Sequence, residues 1–262
     1  MHGLGNDFVI VNQEDLPVEC DIPKLALNIS SRRLGVGCDQ FIIYQKQPQS
    51  YLMTVYNQNG SFASACGNAS RCLARLMKMQ FAENSIIIEV AGRKLNCEVQ
   101  SPDSISVNMG SVSFQESWMP APEKLWQLSE RYMIDPKEVL CADAGNPHFI
   151  IFSNLSVSDK ELIGSKLQNS ELFPDGVNVD FVTIQDNNIL LSVYERGTNG
   201  FTLACGSGAC ASFAAAARLG FVKSPAQVIF QHGSLQMFKT DEGIIMTGPA
   251  ELVANGVYNY EH

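Results

Sequence analysis

Short apolar runs separated by turn residues make up most of the chain and predict β-strands. In the first half these runs are FVIV, FIIY, LMTVY, IIIEV, KLNCEV and ISVNM, with Gly, Asn, Pro and Ser between them. Runs of this length and spacing are typical of antiparallel sheets. The second half has a similar pattern, so we expect a sheet in each half of the chain.

One run in each half has a helical pattern instead. These runs are NASRCLARLMKMQFA and GACASFAAAARLG. The second is apolar nearly all round, which is typical of a helix that is buried inside a sheet. The pattern therefore predicts an α+β fold in which each domain is a curled antiparallel β-sheet or barrel around a central buried helix.

Six pairs of similar segments occur in the same order in the two halves, at a nearly constant spacing. Examples are GNDFVIVN with GNPHFIIFS, GVGCDQFII with GVNVDFVTI, and the Ala-Cys-Gly triplets at Cys66 and Cys205. Two copies of one unit explain this order, and two copies are too few for a solenoid. We expect two pseudo-symmetric domains, 1–112 and 113–249, with a linker over Ser113–Leu125 and a strand at 250–262 that returns to the first domain. The active site is then expected in the cleft between the domains.

Composition excludes several classes of function. The net charge is −9, and no basic run of the kind that neutralises phosphates is present, so we expect no nucleic-acid partner. No apolar segment reaches the length of a membrane helix, and the start MHGLGNDFVIVNQ lacks the features of a secretory signal. A cytoplasmic protein is therefore expected.

The eight cysteines are expected to be reduced, because cytosolic thiols stay reduced. They form no C-x-x-C pair and the four histidines have no metal-ligand spacing, which predicts no metal site. The sequence has no phosphate-binding Gly-rich loop that would indicate a cofactor, so we expect none. Six of the cysteines are interpreted as packing residues: Cys20, Cys38, Cys72, Cys97, Cys141 and Cys210.

Cys66 and Cys205 are different because each precedes a predicted helix. Unpaired N–H groups and the positive end of the helix dipole are expected to lower the pKa of each thiol and to bind a carboxylate. Two thiols facing one cleft could remove an α-proton from one face of a small acid and return a proton to the other. Acid/base groups of the same type suit a reaction whose substrate and product differ only in handedness.

Several motifs together resemble one known family. GLGNDF, GCDQ, VYNQNGS, ACGNASRC, GNPH, GVNVDF, ERG and ACGSGACA, in this order, are similar to diaminopimelate epimerase, a cofactor-independent two-cysteine racemase family. The resemblance implies interconversion of LL- and meso-diaminopimelate, on the route to lysine and peptidoglycan. It implies no cofactor and a small amino acid as the partner.

The resemblance also implies roles for individual residues. Cys66 and Cys205 would be the acid/base pair, with His148 near Cys66 and Glu195 near Cys205. The α-carboxylate would be bound by N–H groups of Gly67, Asn68, Gly206 and Ser207. The distal carboxylate would be held by Asn57, Asn178 and Arg196, and the pocket completed by Asn6, Gln40 and Asn146.

Two alternatives stay open from the sequence. The same thiols could racemise another amino acid such as histidine, although a clamp for a second carboxylate argues against it. In the other alternative the two cysteines form a switchable disulfide in a redox-sensing protein. The sequence also leaves the oligomeric state open, with a homodimer as one possibility.

Overall fold

The computed structural model describes residues 1–63, 67–168, 170–198 and 200–260. The chain divides into two compact units. Unit 1 comprises Met1–Asn108 with Thr247–His262, and unit 2 comprises Met109–Met246. The mixed α+β class predicted from the sequence is confirmed.

Unit 1 contains eight strands and two helices among its described residues. The strands are β1 (His2–Gly3), β2 (Asn6–Asn12), β3 (Gln40–Lys46), β4 (Tyr51–Asn57), β5 (Phe62–Ala63), β6 (Ser85–Val90), β7 (Arg93–Ser101) and β8 (Ser104–Asn108). The helices are α1 (Ile22–Ser30) and α2 (Gly67–Phe81). The strand order is β1-β2-β3-β4-β6-β7-β8, with β5 paired to β4.

Unit 2 repeats this plan, with one further helix before its first strand. The helices are α3 (Pro122–Arg131), α4 (Val157–Leu167) and α5 (Gly206–Arg218). The strands are β9 (Val139–Asp143), β10 (Pro147–Phe152), β11 (Asn178–Gln185), β12 (Asn188–Glu195), β13 (Gly200–Thr202), β14 (Ala226–Phe230), β15 (Gly233–Thr240) and β16 (Gly243–Gly248). Their order is β9-β10-β11-β12-β14-β15-β16, with β13 paired to β12.

Neither sheet is purely antiparallel, so that part of the prediction is wrong. In unit 1, β2 is parallel to β3 and β4 to β6; in unit 2, β10 is parallel to β11 and β12 to β14. A helix lies in the chain between the members of each parallel pair, namely α1, α2, α4 and α5 in turn. Parallel neighbours need such a crossover, whereas antiparallel neighbours need only a short turn.

The central helices lie inside the curl of their sheets. Helix α2 packs against β1, β2, β6, β7 and β8, and α5 packs against β9, β10, β11, β12, β14 and β15. Each helix thus contacts strands from both ends of its sheet order, which requires the sheet to bend around it. Both helices match the predicted runs, and α5 is buried on nearly all sides, including Cys210 and Phe213. Within the described residues, no helix has the length and apolar character needed to span a membrane.

Helices α1, α3 and α4 were not predicted from the sequence. Helix α1 is capped by Asp21, whose carboxylate accepts from the Lys24 N–H, and α4 by Ser156, whose hydroxyl accepts from the Asp159 N–H. Such caps satisfy N–H groups that the first turn leaves unpaired. Both helices are about three turns or fewer, too short for their periodicity to stand out between strands.

The segment interpreted as a linker, Ser113–Leu125, belongs to unit 2 and is not a free connection. Trp118, Met119 and Leu125 pack on the apolar core of that unit, and helix α3 begins within the segment. The Trp118 indole N–H donates to the Asp143 carboxylate at 2.8 Å. The Pro and polar residues that suggested a linker therefore belong to a segment that packs on the core of unit 2 through Trp118, Met119 and Leu125.

The strand predicted at 250–262 is also wrong over the part that the structure describes. Residues 252–260 form no strand, and pairing is limited to an isolated bridge between His2 and Glu251. Asn255 and Gly256 favour turns over a continuous strand. The segment nevertheless returns to unit 1, because Tyr258 and Tyr260 pack against its core.

Two buried thiols give the fold a specific alkaline sensitivity. Burial raises the pKa of Cys97 and of Cys141 to about 12. The unfolded chain ionises these thiols near pH ~8.5, so stability is complete below that pH and falls as pH rises toward 12, by ~1.4 kcal/mol per pH unit and thiol. Urea unfolding at pH ~8 and ~10.5 should therefore show a smaller loss for a Cys97→Ala/Cys141→Ala variant than for the wild type. Equal losses in the two proteins would contradict this assignment.

Candidate active site

Cys205 lies at the N-terminal boundary of helix α5. Its backbone is extended (φ −124°, ψ 113°), and the Gly208 N–H donates to its sulfur over 3.4 Å. The Ser207 hydroxyl lies 3.4 Å from the same sulfur. The thiol is thus held by the first turn of the helix, as the motif predicts, and it is 6% exposed.

The pKa of the Cys205 thiol is raised well above its usual range, so the expectation of a lowered value is wrong for this residue. Burial is the main cause, and the charges of Glu195 and Asp180 add to it. The thiol also donates a hydrogen bond to the Glu195 carboxylate, which favours the protonated form, while Ser207 acts in the opposite direction. The partial charge at a helix start is outweighed by desolvation and two nearby carboxylates. At neutral pH Cys205 is therefore a thiol.

His148, on strand β10, is completely buried beside this helix start. Its Nδ1 lies 2.9 Å from Asp180 Oδ1 and its Nε2 lies 3.0 Å from Ser207 Oγ. The sequence resemblance implies that His148 lies near Cys66, and Cys66 falls outside the described residues with Ser64 and Ala65. That expectation stays untested, and the described contacts link His148, through Ser207, to Cys205.

Asp180 is a site residue that the sequence analysis missed. Its side chain is completely buried and accepts from Ser212 Oγ at 3.0 Å as well as contacting His148. A Cβ added at Gly208 would lie 3.4 Å from both carboxylate oxygens, so α5 passes close over this group. The available signal was an acidic residue in the apolar strand NVDFVTI, because a buried carboxylate requires partners.

Asn178 and Arg196 meet at the adjacent ends of β11 and β12. Asn178 Oδ1 accepts from the Arg196 N–H at 2.8 Å, and its Nδ2 donates to the Pro147 carbonyl at 3.1 Å. The Arg196 side chain is exposed, and its Nη1 donates to the Asp175 carbonyl at 3.1 Å. Asn178 therefore orients the start of the Arg196 turn, while the guanidinium remains reachable from solvent.

The backbone carbonyls of Glu195 and Asn146, two further candidate site residues, also accept hydrogen bonds. The Glu195 carbonyl accepts from Thr198 Oγ1 at 2.9 Å and from Gln168 Nε2, so the turn after β12 is fixed on both sides. The Asn146 carbonyl accepts from the Ala144 N–H at 3.2 Å, in the turn between β9 and β10. Gln168 was not identified from the sequence, because its position after α4 carries no motif.

Unit 1 presents the corresponding helix start at Gly67 and Asn68, both buried. Asn68 Nδ2 donates to Asn6 Oδ1 at 3.1 Å, and Arg71 Nη2 donates to Asn68 Oδ1 at 2.9 Å. Asn6 Nδ2 donates in turn to Asp39 Oδ2 at 3.0 Å. Each amide is thereby oriented by its neighbours, and Arg71 and Asp39 are further residues that the sequence analysis missed.

Gln40 and Asn57 form a second pair in unit 1. They lie opposite each other on β3 and β4, and Gln40 Nε2 donates to Asn57 Oδ1 at 3.2 Å. Asn57 Nδ2 donates to Ser61 Oγ at 3.1 Å. Two of the predicted site residues are thus brought together at one end of the sheet.

The described residues contain no group of three or more His, Cys, Asp and Glu side chains arranged to hold a metal ion. In unit 2, the Cys205 thiol contacts the Ser207 hydroxyl and the Glu195 carboxylate. The Ser207 hydroxyl contacts the His148 imidazole, which contacts the Asp180 carboxylate. Such a set can donate and accept protons at Cys205.

Comparison with known proteins supports the same family as the motifs. A family model described as diaminopimelate epimerase matches residues 1–115 and 140–253. A diaminopimelate epimerase of Rickettsia bellii (strain OSU 85-389) is 55% identical over 261 residues, covering 100% of this chain and 97% of the relative. That of Rickettsia akari (strain Hartford) is also 55% identical, covering 100% and 96%.

Solved structures share the fold at much lower identity. A predicted epimerase from Pseudomonas aeruginosa has a TM-score of 0.69 and 11% identity, covering 96% of this chain and 94% of that chain. A phenazine biosynthesis protein of the PhzF family from Enterococcus faecalis has a TM-score of 0.67 and 16% identity, covering 98% and 94%. These likenesses support the fold alone. Because the family model spans both halves and the relatives match nearly every residue, the chain belongs to the diaminopimelate epimerase family.

Proposed function

We propose that the chain interconverts LL- and meso-2,6-diaminopimelate by moving an α-proton between two cysteines. The observation that carries this proposal is the Ala-Cys-Gly motif at two helix starts, in a chain 55% identical to named diaminopimelate epimerases. The enzyme is an isomerase that needs no cofactor, and its reaction supplies lysine and peptidoglycan precursors in the cytoplasm. Its partner is a small amino-acid substrate. We further propose a homodimer, which a molar mass measured by light scattering would test.

Cys205 is the acid of the resting enzyme in this proposal. Its raised pKa keeps it protonated at neutral pH, beside the Glu195 carboxylate. Cys66 is then the base that removes the α-proton, and Cys205 delivers a proton to the opposite face. In the reverse direction the roles exchange, as microscopic reversibility requires.

Backbone N–H groups at the two helix starts stabilise the reacting end of the substrate. Helix α2 offers those of Gly67 and Asn68, and helix α5 those of Gly206 and Ser207. Preorganised donors bind the α-carboxylate and the negative charge that develops next to it in the transition state. This electrostatic stabilisation substitutes for a cofactor that would delocalise the charge.

The far end of the substrate is assigned to the polar groups at the strand ends. Arg196 binds the distal carboxylate by a charge-assisted fork, with Asn178 setting the turn that carries it. Asn57 completes the clamp. Asn6, Gln40 and Asn146 line the pocket, and His148 and Glu195 tune the thiols.

Proton exchange in heavy water tests the reaction and the substrate together. Incubated with LL-diaminopimelate under reducing conditions, the protein should incorporate deuterium at one α-carbon as the meso isomer forms, detected by NMR and chiral chromatography. Histidine, which lacks a second carboxylate, is the control and should not exchange. Exchange of histidine alone would overturn the substrate assignment. Exchange of neither would overturn the proposed reaction.

A further inference from the structure

Four side chains of unit 1 form a hydrogen-bonded chain that runs from a buried guanidinium to a carboxylate. Arg71 Nη2 donates to Asn68 Oδ1 at 2.9 Å. Asn68 Nδ2 donates to Asn6 Oδ1 at 3.1 Å, and Asn6 Nδ2 donates to Asp39 Oδ2 at 3.0 Å. These four residues are termed the amide chain. Its two asparagines belong to the candidate site, whereas the proposed function gives no role to Arg71 or Asp39.

The two ends of the amide chain impose the same orientation on both amides. A guanidinium has only donors, so the end of Asn68 that faces Arg71 must be its oxygen. A carboxylate has only acceptors, so the end of Asn6 that faces Asp39 must be its NH2 group. The NH2 group of Asn68 then meets the oxygen of Asn6, as observed. Reversing either amide alone would place donor against donor or acceptor against acceptor.

Both end groups are held by further contacts in unit 1. Arg71 is completely buried, and its Nε donates to the Pro249 carbonyl at 3.2 Å. Strand β1 covers the guanidinium so closely that a Cβ at Gly3 would lie 2.9 Å from Nη2. Asp39 Oδ1 accepts from Arg32 Nη2 at 2.7 Å, while its Oδ2 faces the amide chain. The donor end and the acceptor end are therefore both fixed in place.

Amide orientation matters for an amino-acid ligand, because its α-carbon carries two groups of opposite hydrogen-bonding character. A carboxylate accepts hydrogen bonds and an ammonium group donates them. An amide NH2 group therefore suits the carboxylate, and an amide oxygen suits the ammonium group. A reversed asparagine would present the wrong group to the ligand without any change in side-chain shape.

We propose that Arg71 and Asp39 are positioning residues that fix the orientation of the Asn68 and Asn6 amides for substrate binding. Arg71 supplies the donor at one end of the amide chain, and Asp39 supplies the acceptor at the other. The inference rests on the proposed function, because that function places both asparagines in the substrate pocket. Neither Arg71 nor Asp39 needs to touch the substrate in this role.

Neutron diffraction from crystals of the wild type in D2O tests the orientation without turnover, because neutrons distinguish an ND2 group from an oxygen atom. We expect the ND2 group of Asn68 to face Asn6, and that of Asn6 to face Asp39. The opposite orientation of either amide would overturn the proposal, whether or not any variant folds.

A pair of substitutions is designed to reverse the amide chain. In Asp39→Asn, the contact with Arg32 retains an oxygen at one position, so an NH2 group replaces the acceptor that faces Asn6. This change favours reversal, but Arg71 still opposes it through Asn68. In Arg71→Gln, the guanidinium is replaced by an amide that can accept as well as donate. The double variant therefore lets both asparagines reverse with their hydrogen bonds intact.

Activity and stability should then couple with opposite signs. The loss of kcat/KM for diaminopimelate in the double variant should exceed the product of the two single losses by ~10-fold, within the range of coupling in one hydrogen-bond network. In urea unfolding, its loss of stability should be smaller than the sum of the single losses, because reversal restores the hydrogen bonds. A packing role cannot produce this combination, since a less damaged fold would also be more active. Independent losses of rate, or a coupled fall in both rate and stability, would overturn the proposal.

Arg75→Gln is the matched control for Arg71→Gln. Arg75 lies one turn further along α2 and donates to the Ala250 carbonyl, next to the Pro249 carbonyl that Arg71 contacts. Combined with Asp39→Asn, it should give losses of kcat/KM that multiply and losses of stability that add. The same coupling as with Arg71→Gln would overturn the assignment, because substitution of either arginine on α2 would then produce it.

The two proposals fail in distinguishable ways. A wild type that epimerises diaminopimelate but has a reversed amide, or variants with independent losses, overturns the role of Arg71 and Asp39 and leaves the proposed function intact. Absence of turnover by the reduced wild type overturns the proposed function, and with it the role in substrate binding, whatever the orientation of the amides.

Discussion

Cys205→Ser is expected to lower kcat for epimerisation by ~10³-fold or more, toward the upper end of the range for loss of an acid/base group. A serine hydroxyl can keep the contact with the Gly208 N–H. It is a much weaker acid than the thiol, so it donates a proton less readily and does not ionise to the base that removes the α-proton. Cys66→Ser should have an effect of the same order, because the mechanism needs one group on each face of the substrate. The measurement is initial rates in both directions under reducing conditions.

Two other helix cysteines provide matched controls for this prediction. Cys72 on α2 and Cys210 on α5 are completely buried and lie beyond the first residues of their helices. Their alanine variants should retain turnover, with at most a modest fall in melting temperature from lost packing. Full epimerisation by either serine variant would contradict the two-cysteine mechanism. Losses in the control variants as large as those in the serine variants would mean that stability, and not acid/base chemistry, was measured.

Arg196→Met is expected to raise KM for diaminopimelate by ~10–100-fold, because a hydrogen bond to a charged group contributes ~1.5–3 kcal/mol. The effect on kcat should be smaller, since the distal carboxylate is bound equally in the ground and transition states. Binding of lysine, which lacks the second carboxylate, should change little. Inhibition and turnover kinetics with both amino acids measure the difference.

Arg131 supplies the control for this second prediction. It is an exposed arginine in the same unit, at the end of α3, with no place in the candidate site. Arg131→Met should leave both constants unchanged. An unchanged KM in Arg196→Met would assign the distal carboxylate to other residues and reopen racemisation of another amino acid.

The fold was predictable where one pattern dominated a long segment. The apolar runs locate strands β2, β3, β4, β6, β7 and β8, and the two helical runs locate α2 and α5. Strand direction was not predictable in the same way. Two of the four parallel pairs depend on crossovers through α1 and α4, and these helices are identified better by their caps at Asp21 and Ser156 than by periodicity.

The site was predictable where a motif recurred, and less so where partners are distant in sequence. Cys205 and Ser207 lie at the helix start that the motif predicts. Asp180 lies in a strand, and its partners His148 and Ser212 are each 32 residues away. The pKa of Cys205 shows the same limit, because the helix start is local whereas burial and the carboxylates come from tertiary packing.

The central claim is that two sulfurs reach one carbon from opposite sides. A crystal structure of the reduced protein with a bound non-reacting diaminopimelate analogue tests it most directly. The account predicts that the sulfurs of Cys66 and Cys205 both lie within ~3.5 Å of the reacting carbon, on opposite faces, as a near-attack geometry requires. Sulfurs in separate pockets, or both on one face of the ligand, would contradict it.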